Sequence, residues 1–293
     1  MGPTRARWLY HLAEERELGE AWAPPSLGEE GFVHCSFADQ VRESARLHFH
    51  AEAKLHVHRV DPRRVGARIR LAPTSRGPMP HVEGPLVRDA VVDATPLDAF
   101  RGPDRVEGTR FGFVAFRGMT LLDLVGVLDP ISRIASMGFD RTSTFEIVAA
   151  HEGAAWEGHG ARLETARVRP ELSAFDVLVV PGGPAARALA EDAEVTAWLR
   201  TFPANRWAVS VCTGALLLGA AGRLRGKRAT THTSALGELE AFGAEPVRSR
   251  IVDEGDVTTG AGVTSGIDVG LHVVRELCGD EARARVAAQM EVC

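Results

Sequence analysis

Cys212 stands in Ser210-Val-Cys-Thr-Gly-Ala215, where a short apolar run gives way to small residues. If that run is a strand and the following residues open a helix, the thiol lies beside unpaired backbone N–H groups. Those groups and the helix dipole favour a thiolate, the form of cysteine that acts as a nucleophile. The plain alternative is a packed core cysteine, since free cysteine is among the most buried residue types. Asp123 sits between leucines in Leu121-Leu-Asp-Leu-Val125. A desolvated carboxyl there would have a raised pKa and suit proton transfer. It could equally be a helix-capping or first-turn aspartate. Gly182-Gly183, after Pro181, could aim backbone N–H groups at a developing anion, or simply make a tight turn. The two roles are compatible.

These residues need a scaffold, and the pattern around them supplies one. Arg110–Phe116, Thr144–Ala150, Asp176–Pro181, Trp207–Val211, Arg228–Thr231 and Asp256–Thr259 read as strands. Helical patterns fall at Leu122–Ala135, Val195–Phe202, Gly214–Ala221 and Ile267–Leu277. Strands alternating with helices predict an α/β sandwich around a parallel sheet, whose ligands bind at the carboxyl ends of strands. Cys212, Asp123 and the glycine pair all fall at such ends. Residues 1–105 read differently, as a smaller α+β domain. Its expected strands include Trp8–His11 and Leu55–Val60, and its expected helices cover Glu14–Ala23 and Ala38–Phe49. The polar, Gly- and Pro-bearing Arg101–Gly108 is the linker candidate, with the second domain at 109–293.

Composition narrows the classes. The chain has 293 residues, 45% hydrophobic and 25% charged, which predicts a globular protein with a proper core. Its net charge of −5 argues against a nucleic-acid partner. No apolar run is long enough for a membrane span, and no secretory pattern is visible at the start, so the expected location is cytoplasmic. The four cysteines, Cys35, Cys212, Cys278 and Cys293, are far apart and suit neither a zinc site nor a disulfide framework. His56 and His58 alternate on one strand face, but no accompanying ligand spacing supports a metal. Gly260–Gly266 lacks the spacing of a dinucleotide loop and reads as tight turns. No cofactor is expected.

Taken together, Asp176-Val-Leu-Val-Val-Pro-Gly-Gly183, Ser210-Val-Cys-Thr-Gly-Ala-Leu-Leu-Leu-Gly-Ala-Ala-Gly222 and Leu224-Arg-Gly-Lys-Arg-Ala-Thr-Thr-His232 resemble the isonitrile hydratase branch of the PfpI-type, class I glutamine amidotransferase-like superfamily. Leu122-Asp-Leu-Val-Gly126 and Thr258–Asp268 match that branch as well. The resemblance implies a flavodoxin-like sandwich, a homodimer, and a strained cysteine at the strand-to-helix elbow. It places the catalytic set on Cys212, Thr213 and Asp123, and puts Gly182, Gly183 and His232 in the substrate pocket. The protease branch has histidine after the cysteine, where this chain has Thr213. The strand motif around His232 usually continues with tryptophan, and here continues with Thr233. Ending at Cys293, the chain is expected to lack the C-terminal DNA-binding module of another relative.

The implied reaction is hydration of a small isonitrile, R–N≡C, to an N-substituted formamide. Cys212 would attack the isonitrile carbon to give a thioimidate, Asp123 supplying the proton and then activating water. Thr213 and the Gly183 backbone would hold the adduct. Glyoxalase-like carbonyl chemistry, or a non-catalytic thiol sensor of ligands or oxidants, are the alternatives. The first region, through Tyr10-His-Leu12, Ser26–Ser36 and Pro80–Leu86, resembles an uncharacterised bacterial domain family related to ADP-ribosyltransferase-like folds. That likeness would line a cleft with His11, His34, Ser36 and His81. The alternative is that these histidines are hydrogen-bonded core residues.

Overall fold

The computed structural model describes residues 5, 7–74, 77–103, 106–152, 156–158, 161–165 and 167–292. Asp104 and Arg105 of the expected linker, and Cys293, lie outside them. The chain divides into two compact units, Met1–Glu107 and Gly108–Cys293.

In the first unit, six strands form two three-stranded antiparallel sheets. They are β1 (Leu9–Ala13), β2 (Val33–His34), β3 (His56–Val60), β4 (Ile69–Ala72), β5 (Met79–Val82) and β6 (Val91–Pro96). One sheet runs β1-β3-β6 and the other β2-β5-β4. Two helices, α1 (Pro25–Glu30) and α2 (Val41–His48), complete it. The helix expected over Glu14–Ala23 does not form. The carbonyls of Glu14 and Glu15, which a helix would use internally, instead face the rings of His56 and His58 at 3.2 and 2.8 Å. Ala21–Trp22 pairs as a short strand with Leu86–Val87.

The second unit is built on a six-stranded sheet. Its elements follow as β7 (Arg110–Ala115), α3 (Leu121–Ser136), β8 (Thr144–Ala149), β9 (Val177–Val180), α4 (Ala186–Glu191), α5 (Ala193–Arg200), β10 (Trp207–Val211) and α6 (Gly214–Ala220). A 3₁₀ segment, Thr233–Phe242, leads to β11 (Ile251–Asp253), β12 (Val257–Gly260), α7 (Ser265–Cys278) and α8 (Asp280–Gln289). Strand order is β8-β7-β9-β10-β12-β11, parallel throughout except for the antiparallel edge β11. Every residue of β9 and β10 is buried. That is why these strands read as unbroken apolar runs rather than alternating ones. The flavodoxin-like expectation holds, with one exception. Arg228–Thr231 contributes only Arg228–Ala229 as strand, paired to Glu245–Pro246 outside the main sheet. Thr230 and Thr231 leave that pairing and turn toward β12 and the end of β10.

Candidate active site

Cys212 lies one residue beyond β10 and two before α6, with φ of +55°. A non-glycine residue in the left-handed region is strained and persists only where its surroundings hold it. Here they do. The Cys212 N–H donates to both Gly260 O at 3.1 Å and Ala261 O at 2.8 Å, at the end of β12. Its carbonyl accepts from the Thr231 hydroxyl at 2.7 Å. The residue as a whole is buried, at 5% exposure.

Asp123 is fully buried in the first turn of α3, yet it does not cap that helix. Its Oδ2 accepts from the Gly182 N–H at 3.1 Å. Its Oδ1 is buried and has no partner in hydrogen-bond geometry, although the Cys212 thiol lies close enough to the carboxyl to lower its pKa. An unpaired buried carboxylate oxygen is costly, and native structures rarely keep one without a role. Burial raises the Asp123 pKa to about 6, against the lowering effects of Gly182, of the Cys212 thiol and of His232.

The thiol moves in the same direction. Burial, and then the negative charge of Asp123, push Cys212 up to about 11, while the Thr213 N–H and hydroxyl pull it down. The expectation of a thiolate favoured by the helix end is therefore corrected. Desolvation and a neighbouring carboxylate outweigh the first turn of the seven-residue α6. Burial thus raises both members of the pair, and because each feels the other their titrations are coupled.

Gly182 and Gly183 also differ from expectation. The Gly182 N–H is occupied by Asp123, and the Gly183 N–H donates to Thr213 Oγ1 at 2.8 Å. The Thr213 hydroxyl in turn donates to Gly183 O at 3.1 Å. Neither glycine N–H is free to meet an anion, so the oxyanion role assigned to them is replaced by a positioning one. Their glycine identity has a geometric cause. A Cβ on Gly182 would stand 2.4 Å from the Thr213 nitrogen. Gly183 has φ of +145°, and its Cβ would stand 2.5 Å from Gly118 O. The donors that favour a charged sulfur are the N–H and the hydroxyl of Thr213.

His232 is half-buried and faces Ser234, its Nδ1 2.9 Å from the serine hydroxyl. It is close enough to Asp123 to influence its charge, while its ring bonds locally. The structure thus brings Cys212, Asp123, Thr213, Gly182, Gly183 and His232 into one neighbourhood. Sequence reasoning missed Thr231, the clamp on the Cys212 carbonyl, although it stands in the quoted Thr230-Thr-His232. It also missed Arg187, which pairs with Glu238 at 2.7 Å and feels the charge of Cys212.

The histidines of the first unit behave otherwise. His11 Nδ1 lies 2.9 Å from His34 O, and its Nε2 accepts from the Trp22 indole at 2.9 Å. Burial lowers its pKa to about 4. Ser36 donates to Ser44 in the interior. His34, exposed, and His81, half-buried, are paired across two strands, with His81 stacked on Phe32 at 3.8 Å between ring centroids and edge-on to His34 at 5.3 Å. Burial across this set is graded: His11 and Ser36 are buried, His81 is half-buried and His34 is exposed. Among the described residues no group of three or more His, Cys, Asp or Glu could hold a metal ion. No helix among them is long and apolar enough to cross a membrane.

Comparison with known proteins agrees with this division. Residues 8–94 match a family described as protein of unknown function (DUF952). The isonitrile hydratase of Pseudomonas putida is 35% identical over 183 residues, 62% of this chain and 78% of that protein. A ThiJ/PfpI family protein from Pseudomonas syringae superposes with a TM-score of 0.56 at 33% identity, covering 64% of this chain and 76% of the other. DJ-1beta of Drosophila melanogaster shares the fold, with a TM-score of 0.55 at 19% identity over 64% of this chain and 99% of its own. Residues 113–276 match the DJ-1/PfpI family, and the chain belongs to it.

Proposed function

We propose that the second unit is a cysteine-dependent hydratase that converts small isonitriles to N-substituted formamides. The observation that carries the reading is the strained Cys212 beside a buried carboxyl with one unpartnered oxygen. The likeness to an isonitrile hydratase supports the substrate. Asp123 receives the thiol proton as sulfur bonds to the isonitrile carbon. That proton then passes to the same carbon, giving the thioimidate R–N=CH–S–Cys212. Water, deprotonated by Asp123, adds to the carbon while nitrogen gains a proton. The C–S bond then breaks, releasing R–NH–CHO, and sulfur takes its proton back. A pKa near 6 suits Asp123 to both directions of transfer near neutral pH. Thr213 and Gly183, locked to each other, are positioning residues that keep the elbow and the Gly182–Gly183 turn in register.

The test is incubation with an alkyl isocyanide and detection of the formamide, which Cys212→Ala and Asp123→Asn should abolish. No turnover by the wild-type chain, or turnover unchanged in Cys212→Ala, would sink the reading. Homodimerisation is proposed on two outward apolar residues of α3, Leu122 and Val125, 43% and 38% exposed. A monomeric mass by light scattering would remove it.

A further inference from the structure

Beside the elbow lies a cavity of about 300 Å³, lined by Thr230, Thr231, Thr233, Arg248, Ser249 and Arg250 among others. Two of its lining residues bond the main chain of Cys212. Thr231 donates to the Cys212 carbonyl, and Ala261 accepts from the Cys212 N–H. The cavity wall therefore begins one hydrogen bond from the reacting residue.

Most polar groups in the lining already have partners. Thr230 donates to Ser249 O at 2.9 Å, and Ser249 donates to Ile251 O at 2.8 Å. Arg250 is neutralised by Asp268 at 2.5 Å. Two donors have no bond or ion pair with any described residue: the Arg248 guanidinium and the Thr233 hydroxyl. Both are exposed, and both line this cavity. An unneutralised arginine and a free hydroxyl in one concavity form a charge-assisted donor set suited to a carboxylate.

Resting on the hydratase reading, we propose that this cavity binds a carboxylate carried by the substrate, making isonitriles with a carboxylate group the favoured class. Arg248 is a specificity-determining residue that binds the anion, and Thr233 adds a second donor.

The experiment compares isocyanoacetate with cyclohexyl isocyanide in wild type, Arg248→Gln and Arg248→Lys, with melting curves to confirm folding. A second readout does not need hydration: the ratio of Cys212 alkylation rates by iodoacetate and iodoacetamide, followed by mass spectrometry. Arg248→Gln is expected to raise KM for isocyanoacetate about tenfold, the scale of one charge-assisted contact, and to leave cyclohexyl isocyanide unchanged. The iodoacetate preference should fall by a similar factor, with Arg248→Lys partly restoring both. If neither isocyanide is hydrated but the alkylation ratio still falls in Arg248→Gln, the anion site stands and the hydratase reading fails. If hydration occurs and Arg248→Gln alters neither ratio, the anion site is overturned and the hydratase reading stands.

Discussion

Two buried titratable groups, His11 in the first unit and Asp123 in the second, are held in opposite ways. In the first unit, buried His11 has a partner on each ring nitrogen, and the ring of buried His58 meets the Glu15 carbonyl. In the second, Asp123 keeps a buried oxygen without a partner beside a cysteine in a strained conformation. Satisfied groups define a scaffold. An unsatisfied group, kept in place by bonds from several segments, has the character of a working site, because its cost is recovered only when a substrate or a proton arrives.

The contrast can be broken most severely at Cys212. Cys212→Ala should lower isonitrile hydration by about 10⁴-fold or more, measured as formamide release, while Trp22→Phe in the first unit should leave it unchanged. Asp123→Asn should cost about 10²–10⁴-fold in the same assay. Gly183→Ala should destabilise the second unit by about 3 kcal/mol or more in urea unfolding, since the new Cβ meets backbone on both the Gly118 and Met119 sides.

Acid titration sharpens the comparison further, because the two units carry shifts of opposite sign. The Asp123 pKa is raised from 3.8 to about 6, so the folded state binds the extra proton. Its contribution to stability is full below pH 4 and is lost as pH rises through 6. His11 is lowered from 6.5 to about 4, so its contribution is present above pH 6.5 and is lost as pH falls through 4. Each shift corresponds to about 3 kcal/mol. Asp123→Asn should therefore gain stability relative to wild type between pH 4 and 7, and His11→Gln should gain it between pH 6.5 and 4, both followed by urea unfolding. A pH-independent difference in either variant would contradict the environment described for that residue. The smallest effect is expected from Trp22→Phe, which leaves His11 Nε2 unpaired and should cost about 1–3 kcal/mol.

The second unit was largely legible in its sequence. Fully buried parallel strands announce themselves as apolar runs, and glycines with small neighbours mark the turns after Val180 and Val211. The functional neighbourhood followed from strand ends. What could not be read was how backbone donors are used. Gly182 and Gly183 have the composition of an anion cradle, yet their N–H groups face Asp123 and Thr213, which are 59 and 30 residues away in the chain. The protonation state of Cys212 was hidden for a related reason. A helix end is local and visible, whereas burial and the approach of Asp123 are products of tertiary packing. In the first unit, residues 14–23 carry charge without an apolar stripe. Side chains from β3, more than 40 residues on, decided their conformation.

The bonds that hold the elbow also set when it can exist. Cys212 is clamped by Thr231, Gly260 and Ala261, which leave the ribosome after it. A chain that has made β10 and α6 but not β12 has the sulfur without its geometry. Competence is thus a late event of synthesis and of refolding, because closing such long-range contacts is slow relative to local helix formation. Recovery of alkylation behaviour at Cys212 would therefore trail recovery of helical content, and the reactive group would be delivered only on a nearly finished protein.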